Sequence, residues 1–271
     1  MPKFSPSVLR QYCYDVMTAS GVDSVCAEAT AEMLVDAEVT GMSTHGVSRL
    51  SIYMERIQAG IMSPNNNIRI VQEAPSALTV DAGNSLGAAA AKFTMTKCIE
   101  KARETGVCFA AVRNSNHFGV GGYYAMMAER EDMLGMCFTN TQAICVPTFG
   151  REVMLGTNPI AFAMPADPIP MLYDVATTVV PRGKLEVYAK QGKPMPLGWA
   201  VDENGKDTSD AKRVIDNIDS EGRCARRAQR RAAFHARPPA RRPGGSRRFS
   251  HRGGSGSDAA RRGIPVPADR R

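Results

Sequence analysis

The stretch Ser43-Thr44-His45-Gly46-Val47-Ser48-Arg49 places an imidazole four residues ahead of a guanidinium. On a helix that begins near Thr44, those two side chains share a face. His45 can exchange a proton near neutral pH, and Arg49 can grip a carboxylate through two parallel hydrogen bonds. The pair suits a small oxo or hydroxy acid, with Arg49 on the acid group and His45 on the reacting oxygen. A blander assignment stands beside each residue. A lone helical His is more often a satisfied structural group, and a helical Arg is more often half of a surface ion pair. Thr44 reads equally as a helix N-cap or as a hydrogen-bond partner of His45 or substrate.

Helices are expected around this motif. Ser5 followed by Pro6 predicts a capped helix over 6–19, ended at Gly21. Asp23 predicts the cap of a second helix to about Val39, with Cys26, Ala29, Met33, Leu34 and Ala37 on one stripe. A third helix is expected to carry His45 and run to about Ile57, followed by a loop over 62–67. The period then changes. Strands are expected over 68–71, 77–80, 107–112, 134–138, 159–164 and 171–175, with helices over 86–104 and 121–131. Residues 187–205 read as looser, with 199–205 resembling a strand running into a turn. The pattern is that of an α/β or α+β enzyme body behind a helical N-terminal region.

Charge divides the chain. Of its 34 Lys+Arg, 15 are arginines within 222–271, where only Asp258 and Asp269 are acidic; 19 basic and 25 acidic residues remain before that point. The body is therefore mildly acidic and offers nothing to nucleic acid or an anionic membrane. The last fifty residues hold no Leu, Met, Trp, Tyr or Lys, and their expected state is disorder, because so little apolar surface cannot offset the entropy of ordering. Arg, Ala, Gly, Pro and Ser without Lys is also what a GC-rich gene yields when translated out of frame. That origin is preferred here to a nucleic-acid-binding tail, although an Arg-rich strip would neutralise phosphates well. The seven cysteines form no CxxC pair and read as reduced thiols, with no metal site expected. No apolar run approaches the ~20 residues of a membrane span, no signal peptide is evident at the start, and the expected location is the cytoplasm.

Several segments together resemble one family, the malate/L-lactate dehydrogenases of the sulfolactate dehydrogenase-like type, whose relatives include ureidoglycolate dehydrogenases and diketogulonate reductases. The matching pieces are GMSTHGVSR at 41–49, SNHFG at 115–119, GTNP at 156–159, DVATTVVPRGK at 174–184 and GWAVDENG at 198–205. Each is weakly specific, but their order and spacing are not. The resemblance implies an NAD- or NADP-dependent oxidoreductase that interconverts a 2-hydroxy and a 2-oxo acid and works as a homodimer on a small carboxylate substrate. It also implies a largely antiparallel, non-Rossmann nucleotide-binding sheet, in keeping with the absence of G-x-G-x-x-G after any strand. Members of the family continue with a segment like G-H-K-G-Y-G-L, which nothing in 222–271 resembles. The expectation is a truncated or frameshifted member, and an inactive remnant of such an enzyme stands as the alternative. The division expected is a helical region over 1–67 with the catalytic motif, a cofactor-binding part over 68–217, and a tail over 218–271.

The resemblance assigns further roles. His45 becomes the acid/base, with Thr44 and His117 beside it, and Arg49 and Thr157 become substrate contacts. His117, Phe118, Gly119, Val120 and Gly121 fall by the cofactor, as do Asn140, Thr141, Asp174, Val175, Ala176 and Lys184. From the residues alone, His117–Gly122 is a glycine-rich turn whose amides could approach a phosphate at a helix start. Thr157-Asn158-Pro159 is otherwise an Asn-Pro turn, Asp174 a strand end, and Lys184 a solvated charge.

Overall fold

The computed structural model describes residues 4–220 together with 226–227. The expected disorder of the Arg-rich stretch thus falls almost wholly outside the described residues.

Helix α1 (Pro6–Ala19) begins where expected, with the Ser5 hydroxyl accepting from the Val8 amide. Helix α2 (Ser24–Val39) is capped by Asp23, which accepts from Val25 and Cys26. The predicted stripe of α2 is buried, and so are Ala27, Thr30, Ala31 and Val35, so this helix is enclosed on nearly every side. Packing rather than capping holds it. Losing a cap costs about 1 kcal/mol, whereas truncating a fully buried side chain such as Met33 or Leu34 to alanine costs about 2–5 kcal/mol. Cys13 and Cys26 lie in the same core, and burial pushes their thiols up to about 11 and about 12. They act there as small hydrophobes.

The third helix differs from expectation. Helix α3 spans Leu50–Gln58 and does not contain His45. Two single 3-10 turns precede it, Ser43–His45 and Val47–Arg49, broken at Gly46 (φ −88°, ψ −150°). The expected shared helical face of His45 and Arg49 is therefore replaced by two short turns in series.

Strands β1 (Arg69–Ala74) and β2 (Ala77–Asp81) pair antiparallel around Pro75-Ser76. Helix α4 (Gly87–Thr105) then crosses over to β3 (Phe109–Arg113), which joins β2 in parallel, as a helical crossover permits. Helix α5 (Gly121–Glu129) leads to β4 (Gly135–Phe138). Beyond the two-residue β5 (Cys145–Val146) come β6 (Ile160–Met164) and β7 (Met171–Val175). β4, β6 and β7 form an antiparallel sheet in that order, with β6 central. Arg226–Arg227 (β8) pairs in parallel with β5.

Two helices were not expected. Helix α6 (Arg182–Gln191) is mostly polar and buries only Leu185, so its apolar pattern is too thin to see. Helix α7 (Ala211–Ser220) puts Ala211, Val214 and Ile218 on one side, against Ile144, Cys145 and Leu185. In place of a strand at 199–205 there are isolated bridges, among them Val201 to Asp207, closed by a turn at Asp202.

The core around α2 reaches the start of α4. A Cβ on Gly87 would overlap the carbonyl of Asn116 and lie 2.6 Å from that of His117. The Asn116 side chain tightens this crossing by donating to Asn84 and to the Ser85 carbonyl, each at 3.0 Å. Gly87→Ala should therefore destabilise the fold. The helical gain of alanine is at most ~1 kcal/mol, while a clash with two backbone carbonyls belongs to the ~1–3 kcal/mol class of overpacking. A lower urea midpoint is the expected outcome, and an unchanged or higher one contradicts this account.

Candidate active site

Two histidines far apart in sequence face each other. The His45 and His117 rings stack with centroids 5.6 Å apart and 19° between planes. His45 arrives on the first 3-10 turn, and α2 holds the start of the second: Glu38 Oε1 accepts from the Val47 amide at 2.9 Å. A side chain on Gly46 would overlap that carboxylate. His117 arrives on the loop after β3, across the Gly87 crossing. Thr44 Oγ1 lies 2.9 Å from His45 Nδ1, so the partner role of Thr44 is the one observed, and its hydroxyl caps no helix. Arg49 Nε donates to the Thr44 carbonyl at 2.6 Å, which orients the guanidinium from within the same loop.

Tyr53 completes the cluster, and the sequence reading missed it. It is buried on α3 and its hydroxyl sits 2.7 Å from His117 Nδ1. The available signal was its place four residues after Arg49, one helical turn on. Gly183 at the start of α6 also borders the site, since a Cβ there would lie 3.3 Å from Thr44 Cγ2. Nothing in the sequence marked that approach.

Electrostatics keep the imidazoles neutral. Burial, then the positive charge of Arg49, hold His45 below its ordinary value. Burial, then His45, Arg49 and Arg56, push His117 down to about 4. His117 is nonetheless exposed at the surface, so water offsets part of that desolvation. Burial raises the Tyr53 phenol, which remains protonated.

A second group of expected residues gathers at one end of the antiparallel sheet. Phe138, Ile160 and Val175 are aligned across β4, β6 and β7. The residues just beyond them, Asn140 and Thr141, Thr157 and Asn158, and Ala176 and Thr177, therefore meet. Thr141 Oγ1 accepts from the Thr157 amide at 2.8 Å, and the Thr141 amide donates to Asn158 Oδ1 at 3.0 Å. The Thr157 carbonyl accepts from the Thr177 amide at 2.9 Å. This cluster of hydroxyls and amides fits hydrogen bonding to a carboxamide or to sugar hydroxyls.

The glycine-rich segment packs closely on the antiparallel sheet. The Gly122 amide, in the first turn of α5, donates to Asp174 Oδ2 at 2.7 Å. Burial raises the Asp174 carboxyl, against the lowering effect of that amide. A Cβ on Gly121 would lie 3.1 Å from Ala161 Cβ, and one on Gly122 3.0 Å from Asp174 Oδ2. These glycines let α5 settle on the sheet. Phe118, Gly119 and Val120 also make packing contacts: Phe118 lies 5.3 Å from the Tyr124 ring, a Cβ on Gly119 would overlap Met33, and Val120 is buried. Lys184 is exposed, with Nζ 4.9 Å from the centre of the Trp199 ring. Among the described residues no group of three or more His, Cys, Asp or Glu is placed to hold a metal ion.

Known proteins resemble this chain over most of its length. Residues 4–228 match the family model for malate/L-lactate dehydrogenase. A malate dehydrogenase of Pyrococcus horikoshii is 42% identical over 200 residues, covering 74% of this chain and 56% of its own length. A malate/(S)-sulfolactate dehydrogenase of Methanothermus fervidus is 37% identical over 211 residues, covering 78% of this chain and 62% of its own. The crystal structure of malate dehydrogenase from Entamoeba histolytica superposes with a TM-score of 0.80 at 33% identity, covering 84% of this chain and 63% of that one. The chain thus spans less than two thirds of the length of these relatives, and over that span it belongs to the malate/L-lactate dehydrogenase family.

Proposed function

We propose that the chain carries the acid–base and carboxylate-binding half of an NAD- or NADP-dependent oxidoreductase that interconverts 2-hydroxy and 2-oxo acids. The stacking of His45 on His117 beside Arg49 is the observation that carries this reading. Its cofactor choice stays open between two precedents. A (2R)-3-sulfolactate dehydrogenase (NADP(+)) of Chromohalobacter salexigens is 37% identical, and a ureidoglycolate dehydrogenase (NAD(+)) of Escherichia coli is 32% identical. On the same reading residues 1–67 bring the proton and 68–217 the cofactor contacts, and the active form is a homodimer.

When bound, the nicotinamide supplies or accepts the hydride. Thr141 and Asn140 are the residues that would hold its polar groups, by the chemistry of their side chains, with Thr157 beside them as a substrate contact. Arg49 holds the substrate carboxylate through its terminal nitrogens, its Nε being fixed on Thr44. With Nδ1 of His45 on Thr44, Nε2 is the nitrogen left to serve the reacting oxygen. It gives a proton to the carbonyl in reduction and takes one from the hydroxyl in oxidation. Tyr53 positions His117, and His117 in turn covers the face of His45.

The test is turnover by the purified chain with both nicotinamide cofactors and a panel of 2-oxo acids. Consumption of reduced cofactor with the acids and none with their amides is expected; a folded chain that binds neither cofactor overturns the proposal. His45→Ala should lower kcat by about 10²–10⁴-fold, the usual scale for a lost general acid–base. Arg49→Lys should raise KM for carboxylates, since the two-pronged grip is lost. For pH the sign follows from the lowered His45. Its neutral form prevails at pH 7, so the acid limb of kcat/KM for oxidation should be centred below pH 6.5. For reduction kcat/KM should rise as pH drops from 8 toward 6. An oxidation limb centred above 6.5 speaks against His45 as the base. Tyr53→Phe should cost several-fold in kcat, about 1 kcal/mol for a lost hydrogen bond, with KM little changed.

A further inference from the structure

The two edges of the β1–β2–β3 sheet differ. β1 carries Arg69 and Glu73, and its register shifts between Ile70 and Gln72. Charges and bulges are what keep a sheet edge from pairing with another chain. The opposite edge, β3, pairs with β2 in unbroken register. The run Val107-Cys108-Phe109-Ala110-Ala111-Val112 holds no charge and no proline, and Val107 and Phe109 are each 64% exposed. The Phe109 amide donates to the Ser76 carbonyl, and the Arg113 carbonyl accepts from the Ala82 amide, each at 2.9 Å. Backbone direction alternates along a strand, so Phe109, Ala111 and Arg113 turn toward β2. Cys108, Ala110 and Val112 turn their N–H and C=O groups outward, and among the described residues no strand meets them.

We propose that this open edge docks a second copy of the chain, with β3 antiparallel to the partner's β3 about a two-fold axis at Ala110. A second copy is the occupant because the strand complements itself, as a two-fold contact requires. With the axis at Ala110, Cys108 falls opposite the partner's Val112, and such pairs exchange both backbone hydrogen bonds. Phe109 falls opposite the partner's Ala111, large against small, on the face that Ala77 and Thr79 share. Like charges stay apart. Arg113 would lie about 20 Å along the strands from the partner's Arg113, beyond the ~8 Å screening length at physiological salt. It is also paired already with Asp81 at 3.1 Å. Residues 222–271, with 15 arginines and no Leu, Met, Trp or Tyr, are a poor rival for so apolar an edge. A pairing over 107–113 is small beside the ~1,600 Å² of a standard interface, so the association is of the weak class. This surface would serve the homodimer proposed above, but it rests on the sheet alone.

Sedimentation equilibrium and amide hydrogen exchange of the full chain at rising protein concentration test the proposal. A reversible monomer–dimer equilibrium is expected. Exchange at the Cys108, Ala110 and Val112 amides should slow by about tenfold as dimer comes to dominate by mass action, while the Phe109 amide, bonded within the chain, should not respond. Ala110→Pro removes an outward N–H that the fold does not use, a place where an edge strand tolerates proline, and should leave a monomer. Phe109→Lys makes two lysines diagonal neighbours across the axis and should raise the dissociation constant by about tenfold. Circular dichroism establishes that each variant is folded. A dimer that both folded variants leave unchanged overturns the proposal, although a homodimer through another surface would survive. Slow exchange at the three amides that does not depend on concentration overturns it too, since the edge is then covered by its own chain. Absence of association with fast exchange throughout does the same. If neither variant folds, the concentration dependence of exchange in the unaltered chain decides the matter.

Discussion

The stack of His117 on His45 is the contact on which the site depends. Two imidazoles 5.6 Å apart cannot both be charged cheaply, least of all beside Arg49. Burial and Arg49 act on His45 in one direction, toward the neutral ring. On the proposed function, the free site rests with its base ready and its acid scarce. A carboxylate seated on Arg49 cancels the positive charge that holds His45 down. On the proposed function, substrate binding would then raise the proton affinity of His45, and the same guanidinium would couple the arrival of the acid group to that protonation.

That stack is built by close backbone approaches more than by side chains. Glu38 on α2 reaches the Val47 amide because Gly46 has no side chain in the way. The Asn116–His117 backbone passes over α4 because Gly87 has none either. Asp81 anchors the other end of the same loop. The Gly83 amide, then the Asn114 side chain and Arg113, hold its carboxylate below its usual range. Asn114 donates to it at 3.0 Å and Arg113 pairs with it at 3.1 Å. The histidine positions are therefore consequences of how α2, α4 and β3 pack, and α2 is the most enclosed of these.

Legibility in the sequence followed the size of the apolar signal. Helices α1, α2, α4 and α5 and most strands announce themselves through caps, glycine stops and period. Helix α6 does not, since Leu185 is its only buried residue. The placing of His45 on a helix failed for a local reason: Gly46 has an extended ψ of −150°, and a spacing of four residues cannot reveal that break. His45, Thr44, Arg49 and His117 were all named from sequence and lie together. Tyr53 escaped notice because a tyrosine on an apolar helix face looks like core until its hydroxyl is seen 2.7 Å from His117.

Asp174 decides how the glycine-rich turn is to be understood. A helix start with two glycines favours an anion, because its amides point outward unpaired. Here the anion is internal. Asp174 reaches Gly122 at 2.7 Å, and Gly121 and Gly122 are closed in by Ala161 and Asp174 itself. A diphosphate brought to the same turn would meet a carboxylate of like charge in a desolvated setting, where repulsion is strongest. Lys184, the other residue expected at a phosphate, rests near the Trp199 ring, a contact worth only ~0.5–1 kcal/mol at an exposed position. That interaction is weak enough to give up, whereas the Asp174 bond helps hold α5 on β7. If the cofactor's phosphates meet this part of the chain, Lys184 is the group that can turn to them.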